Sequence, residues 1–229
     1  MIGIIGAMEV EINTIKSQID DLDKVKKGIR TFYTGSISGK EVVLVLAGIG
    51  KVNAAVTTTL LLEHFDVTSV INIGVAGGQN GVKHKDVVIS SEVLYHDVDV
   101  TKFSEYKHGQ LPGSEPTYIA DKTLLDKTKS ILDFLQYNYK VGRIASGDQF
   151  VYSKETIKEV NSEYSDIYAI EMESAAIAHV ATMYNVPFII YRSISDILDD
   201  ENQAEDFDKF VEAASLNASK VLEKLIGVI

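Results

Sequence analysis

The chain has 229 residues, of which 45% are hydrophobic and 24% charged, as expected of a globular protein with one large domain over residues 1–229. It has no cysteine, which excludes disulfides, zinc–thiolate sites and cysteine nucleophiles. A formal net charge of −11 disfavours nucleic acid and anionic membranes as partners, and no run approaches the roughly 18 apolar residues of a membrane helix. We therefore expect a cytoplasmic protein that binds neither.

The first third of the chain alternates short apolar runs with helical patterns. The run Met1–Ile5, closed by Gly6 and Ala7, predicts a buried strand that ends in a tight turn. Apolar residues at helical spacing predict helices over residues 8–19 and about 52–65. Two apolar segments, 32–37 and 41–46, predict a hairpin turned at 38–40.

The middle of the chain contains two further strands and a long irregular stretch. We predict strands over 67–73 and 87–93, the first followed by a glycine-rich turn over 74–78. Residues 96–120 contain no clear period, and a loop this long inside a compact domain is usually functional or disordered. His96, Asp97 and Asp99 there lack a further close nitrogen or sulfur ligand, so no metal is expected.

The last part of the chain completes an α/β pattern. Helices are predicted over 121–134, 154–160 and about 206–226, and a strand over 141–145. Several apolar strands thus end in small-residue turns and alternate with helices. This pattern is typical of an α/β sheet that presents many strand ends to one site.

Polar residues are concentrated in one otherwise apolar stretch, 169–196. Glu171 and Glu173 precede a helix rich in alanine, and the apolar run 188–191 leads directly to Asp196. Buried carboxylates are costly unless they are paired, protonated or bound to a ligand, and ligands of open α/β sheets bind at the carboxyl ends of strands. The alternative is structural, because first-turn acids and an N-cap also favour carboxylates.

Eight segments of the chain, in order, match one known pattern. They are MIGIIGAMEVE (1–11), AGIGKVNAA (47–55), INIGVAGG (71–78), YHDVDVTKF (95–103), HGQLPG (108–113), ASGDQFV (145–151), IEMES (170–174) and RSISD (192–196). With these motifs the chain resembles the purine nucleoside phosphorylase superfamily. Within it, the chain is most similar to the methylthioadenosine/S-adenosylhomocysteine nucleosidases.

The resemblance implies an α/β fold with three layers (α/β/α) around a central, mixed, twisted sheet. It also implies hydrolysis of the N-glycosidic bond of 5′-methylthioadenosine and S-adenosylhomocysteine, and of 5′-deoxyadenosine as a further candidate substrate. No cofactor and no metal are expected. The expected partners are a small nucleoside and a second copy of the chain, whose loop would complete the site of a homodimer.

The resemblance also implies roles for individual residues. Asp196 would protonate adenine N7, Glu11 would activate water, and Glu173 would hold the ribose 2′-hydroxyl. Met172 would pack beneath the sugar, Phe150 would stack on adenine beside the Val151 backbone, and Ser195 would place Asp196. The alkylthio pocket would be lined by Met8, Ile49, Val100, Phe103, Tyr106 and Pro112. Further substrate contacts are expected from Val75, Ala76, Gly77, Glu171, Arg192 and Phe207.

Four features depart from the family pattern. Val75 stands where relatives usually carry a small hydroxyl residue, and Ile73 where they often carry threonine. The segment 79–85 differs from the usual turn, and 104–107 is one residue longer. Since the loop lies near the alkylthio end, these departures concern substrate preference more than the class of reaction.

Three other functions compete with hydrolysis. A phosphate-dependent purine nucleoside phosphorylase would have the same fold, but it needs arginines for phosphate, and the chain has only Arg30, Arg143 and Arg192. A nucleoside-binding protein without activity would leave Glu11, Glu173 and Asp196 unexplained. An NAD-binding domain would need GxGxxG, whereas Gly3 and Gly6 form only GxxG.

Overall fold

The structure, a computed structural model, describes residues 1–103 and 105–229. Ser104, the first residue of the loop expected to be lengthened, lies outside this description. The helices are α1 (Glu9–Lys16), α2 (Lys51–His64), α3 (Lys122–Phe134), α4 (Lys158–Glu163), α5 (Ser174–Met183) and α6 (Gln203–Val228). The strands are β1 (Ile2–Gly6), β2 (Asp20–Lys27), β3 (Arg30–Ile37), β4 (Lys40–Leu46), β5 (Ser69–Gly78), β6 (Val87–Tyr95), β7 (Tyr118–Ile119), β8 (Tyr139–Ser146), β9 (Ile167–Glu171) and β10 (Phe188–Ile197).

All the strands join one mixed sheet, and helices cover it, which confirms the predicted fold class. The strand order is β10-β6-β8-β9-β5-β1-β4-β3-β2, with β7 attached to β6. Helices α1 and α3 pack against α6, whereas α2 packs against α5, so the helices form two groups. The described helices include none that is both long and apolar enough to cross a membrane.

Part of the sheet closes on itself, a feature that the sequence patterns did not predict. Strand β5 pairs with β1 over Ser69–Asn72 and with β10 along nearly its whole length, and at Gly77 and Gly78 it also pairs with β9. Strand β10 also pairs with β6, and β8 bridges β6 and β9, which completes the ring. The ring brings the carboxyl ends of β5, β9 and β10 together, and β1 ends beside them.

Strands β2 and β5 differ from the predictions for a physical reason, and the short strands β7 and β9 were not predicted either. The turn predicted over 74–78 is wrong, because β5 continues to Gly78 and hydrogen-bonds β9 and β10 through these glycines. Strand β2 was not predicted, since its sequence DDLDKVKK is mostly charged and exposed. It is the last strand of the sheet and, among the described residues, pairs with β3 alone, so both of its faces tolerate charge.

The buried core supports the interpretation of residues 1–229 as one domain, which stays a prediction. One cluster of buried apolar residues extends from β1 and β4 through β5 and β10 to α5 and α6. A second, smaller cluster surrounds Leu94, Ile157 and Ile167 near the strand ends. Strand β10 is buried along nearly its whole length because β5 and β6 flank it.

Candidate active site

A cleft of about 130 Å³ opens where β1, β5, β9 and β10 end. Many of the residues that the sequence proposed for the site line it. They are Met8, Glu11, Ile49, Val75, Ala76, Gly77, Phe150, Val151, Glu171, Met172, Glu173, Ser195, Asp196 and Phe207. The strand register explains part of this arrangement, because Asp196 on β10 is the partner of Gly77 on β5. The roles assigned to these residues remain predictions.

Five proposed substrate contacts do not line the cleft of the single chain. Four belong to the long loop: Val100, Phe103, Tyr106 and Pro112. Phe103 is instead 67% exposed. The fifth, Arg192, is only 2% exposed and lies behind the wall of the cleft.

Four lining residues were missed by the sequence analysis. They are Ala7, Gln149, Ile170 and Gln203. Three of them, Ala7, Gln149 and Ile170, lie within the matched segments 1–11, 145–151 and 170–174, but the resemblance gave them no role. Gln203 belongs to no such motif, and no feature of the sequence distinguishes it from other helical glutamines.

Glu11 is held almost entirely by backbone groups. Its Oε2 accepts hydrogen bonds from the amides of Ala7 (2.7 Å) and Met8 (3.0 Å), and its Oε1 accepts one from the amide of Val75 (3.1 Å). Burial raises the pKa of Glu11, although the Arg192 guanidinium and the three amides oppose the shift. The carboxylate is therefore fixed in position and is a stronger base than an exposed glutamate.

Gly74 allows this arrangement because it has no side chain. A Cβ at Gly74 would lie 2.4 Å from Glu11 Oε1 and 2.8 Å from Arg192 Nη1. Such distances are well inside van der Waals contact. Glycine is required at this position by the close approach of two buried side chains.

Glu171 and Arg192 form a buried ion pair beside the cleft. Arg192 Nη2 donates to Glu171 Oε2 (2.8 Å) and also to Asn72 Oδ1 and Ser174 Oγ. Glu171 also accepts from the amides of Glu173 and Ser174, at the N-terminus of α5. Burial alone would raise the pKa of Glu171, but Arg192 and these donors outweigh burial and lower it. Glu171 is therefore a charged structural group.

The pKa of Glu173, two residues later, is shifted in the opposite direction. Burial and the neighbouring negative charge of Glu171 raise the pKa of Glu173 to about 8. Its Oε1 accepts a hydrogen bond from the Gly50 amide (2.7 Å), and its side chain faces the cleft. At neutral pH the group is mostly protonated, so it can both donate to and accept from a hydroxyl group.

Asp196 is held by side chains rather than by the backbone. Its Oδ1 accepts from Ser195 Oγ (2.6 Å) and its Oδ2 from Gln203 Nε2 (2.7 Å). Burial raises the pKa of Asp196, while these two donors act in the opposite direction. A carboxyl that keeps its proton closer to neutral pH is suited to general acid catalysis.

The remaining walls of the cleft are largely apolar. The ring centroids of Phe150 and Phe207 are 5.9 Å apart, with the rings nearly perpendicular. Val75 contributes its side chain to the cleft and its amide to Glu11. A flat apolar ring together with a few fixed polar groups is the usual make-up of a small-molecule site.

Comparison with known proteins identifies the class of this fold and site. The profile of the phosphorylase superfamily matches residues 1–227. A 5′-methylthioadenosine/S-adenosylhomocysteine nucleosidase of Oceanobacillus iheyensis is 43% identical over 226 residues, which are 98% of each chain.

Solved structures agree with these sequence matches. The nucleosidase of Neisseria meningitidis in complex with methylthio-immucillin-A has a TM-score of 0.95 and 38% identity, covering 100% of this chain and 99% of that one. The nucleosidase of Colwellia psychrerythraea in complex with adenine has a TM-score of 0.92 and 36% identity, covering 99% and 94%. The chain therefore belongs to the phosphorylase superfamily and, within it, to the family of 5′-methylthioadenosine/S-adenosylhomocysteine nucleosidases.

Proposed function

We propose that this protein hydrolyses the N-glycosidic bond of 5′-methylthioadenosine and S-adenosylhomocysteine and releases adenine, with 5′-deoxyadenosine as a further substrate. The observation that carries the proposal is one cleft in which Glu11, Glu173 and Asp196 are all buried and all have raised pKa values. The family relationship supports the same reaction.

Breaking the bond requires an acid for the leaving base. A purine leaves poorly as an anion, so protonation at N7 lowers the barrier. Asp196 fits this role because burial helps it to retain a proton, and Ser195 fixes the orientation of its carboxyl group. We assign Asp196 as the general acid.

The sugar carbon, left with oxocarbenium character, must then be attacked by water. Glu11 fits the role of the base because three amides hold its carboxylate in one orientation. The pairing of an acid and a base with different surroundings parallels the inverting glycosidases. We assign Glu11 to the activation of water.

The other lining residues suit the two halves of a nucleoside. Glu173 offers both a donor and an acceptor to the ribose 2′-hydroxyl, and Met172 supplies an apolar surface for the sugar. Phe150 provides a ring for the base, next to the backbone of Val151. These assignments rest on the positions of the residues around the cleft and on the chemistry of each group.

The structure disfavours the alternative, a phosphate-dependent phosphorylase. Arg192 is bound to Glu171, Arg143 to Glu92 and Asp166, and Arg30 to Asn53 and Thr57. The three arginines of the chain are therefore engaged elsewhere, and the buried carboxylate of Glu11 would repel an anion in the cleft.

A single assay tests the proposed function. Purified protein is incubated with each of the three nucleosides, with and without phosphate, and free adenine and the sugar product are measured. We expect adenine and a free sugar without phosphate. A sugar 1-phosphate that forms only with phosphate would show a phosphorylase, and binding without product would show a nucleoside-binding protein.

We also propose that the active protein is a homodimer in which the partner's loop completes the alkylthio end of the cleft. Val100, Phe103, Tyr106 and Pro112 do not line the cleft of their own chain, so they are free to serve a second one. Exposed apolar side chains next to the cleft support an interface, with Val52 and Val56 one turn apart on α2 at 75% and 39% exposure.

Sedimentation combined with kinetics tests the dimer. Phe103→Glu is expected to favour the monomer and to raise KM for methylthioadenosine at least about tenfold, since the loop no longer closes the pocket. Phe134→Glu is the matched control, because Phe134 is also exposed (76%) but lies at the end of α3. A wild-type monomer with full activity would refute the proposal.

A further inference from the structure

Gln203, the first residue of α6, fills part of the cleft with its side-chain amide. The residue is only 3% exposed. Its Nε2 donates to two acceptors, Asp196 Oδ2 at 2.7 Å and the carbonyl oxygen of Val151 at 3.0 Å. Its Oε1 is buried as well and has no hydrogen-bond partner within the described residues.

These two acceptors are those that an aminopurine would need. The exocyclic amino group of adenine carries two hydrogens and is adjacent to N7. If Asp196 protonates N7 and the Val151 backbone contacts the base edge, the amino group lies between the same carboxyl and the same carbonyl. The Gln203 amide therefore offers the chemical group that the base would offer, an NH₂ with two donors.

We propose that the Gln203 amide occupies the subsite of the leaving base's amino group in the unliganded protein, and that it withdraws when the nucleoside binds. This inference rests on the proposed function, because it assumes that the base binds at Asp196 and Val151. It makes Gln203 an internal competitor of the substrate.

The unpartnered oxygen of Gln203 supports a temporary arrangement. A glutamine with a permanent structural role would be expected to satisfy both ends of its amide, since a buried polar atom without a partner costs free energy. Here only the end that faces Asp196 and Val151 is satisfied. The Gln203 amide is thus only half paired, which lowers the cost of its leaving the cleft.

The start of α6 carries a contact between His84 and Asp206 (3.2 Å) but lacks a side-chain cap within the described part of the chain. Asp199, just before the helix, has a φ of +65°. Phe207, one turn after Gln203, lines the same cleft. A small movement of this first turn would withdraw the Gln203 amide and carry Phe207 with it.

Competition of this kind reduces the apparent affinity for the base. If the competent form is only a fraction of the population, the apparent Kd rises by the reciprocal of that fraction. Removing the amide should therefore strengthen the binding of adenine, whereas removal of a residue that positions Asp196 in the complex should weaken catalysis. The two possibilities predict opposite changes.

The test measures adenine binding by calorimetry and nucleoside hydrolysis by steady-state kinetics. Gln203→Met keeps the side-chain length without the amide, and Gln203→Ala removes it altogether. Asp208→Ala, an exposed position on the same helix, is the control for general effects on α6. We expect both Gln203 variants to bind adenine at least about threefold tighter and to lower KM for the nucleoside by a similar factor.

Each other result overturns the proposal. Unchanged adenine affinity in both variants would show that the amide does not compete. Weaker affinity, or a kcat at least tenfold lower, would show that Gln203 positions Asp196 in the complex. Because adenine binding is measured without turnover, a wild-type protein that binds adenine but hydrolyses no nucleoside would refute the proposed function and still test this inference.

Discussion

Glu11 and Asp196 lie in the same cleft but are held by different kinds of neighbours. Three backbone amides, from Ala7, Met8 and Val75, hold Glu11. Two side chains, those of Ser195 and Gln203, hold Asp196. Backbone donors are set by the path of β1 and β5, whereas side-chain donors can rotate or be replaced. The comparison indicates that the site of the base is rigid and that the site of the acid is adjustable.

Removing either carboxylate gives the largest expected effect. We expect Asp196→Asn and Glu11→Gln each to lower kcat at least about 10²-fold, the low end for general acid or base catalysis. A nitrophenyl-type riboside, whose leaving group departs without protonation, should partly rescue Asp196→Asn but not Glu11→Gln. Equal rescue of both variants, or of neither, would contradict the two assigned roles.

The rigidity of the Glu11 site can be tested through Gly74. In Gly74→Ala the new Cβ would collide with Glu11 Oε1 and Arg192 Nη1, so one of them must move. Since a displacement of about 1 Å can cost up to 10²-fold in rate, we expect kcat/KM to fall at least about tenfold. Gly227→Ala in α6 is the control, because its Cβ would meet Ser38 only at 3.7 Å. An unchanged rate would mean that the Glu11 site is not rigid.

The adjustable site of Asp196 predicts a change in pH dependence. Ser195→Ala removes a donor that stabilises the ionised carboxylate, so the pKa of Asp196 should rise further. A general acid acts below its pKa, and the basic limb of the kcat/KM profile should therefore move to higher pH. We expect kcat to fall about three- to tenfold, since the carboxyl loses its orientation. Ser193→Ala, two residues earlier on β10, should move neither quantity, whereas a basic limb that moves to lower pH would contradict the argument.

At Val75 the backbone amide and the side chain have different functions. Its amide holds Glu11, and its side chain faces the cleft where relatives usually carry a hydroxyl. Because Val75→Ser keeps the amide, we expect the turnover number to stay within about tenfold, or about 1.4 kcal/mol. A larger fall, measured for methylthioadenosine, would show that the site is packed around the valine side chain.

The sequence was sufficient to predict the fold class and most of the residues around the cleft. The apolar runs and glycine-rich ends indicated strands that alternate with helices, and Glu171, Glu173 and Asp196 stood out because carboxylates are costly in apolar segments. Glu11 and most of the other cleft residues were predicted from the family resemblance. Local sequence patterns were less informative for segments whose secondary structure depends on pairing with a distant part of the chain. The charged strand β2 is stable only because it pairs at the edge of a sheet that local patterns do not reveal.

Only the tertiary structure decided which polar group contacts which. Glu171 and Glu173 are two residues apart and look alike in the sequence, yet Arg192 and the start of α5 keep the first charged while burial beside it raises the pKa of the second to about 8. The sequence did not predict a role for Gln203, because its side chain hydrogen-bonds Val151 and Asp196, and Val151 is distant along the chain. Residue types and their spacing determine which elements form and which groups are chemically able to act. Burial and long-range contacts determine charge and role, since both depend on neighbours that are distant along the chain.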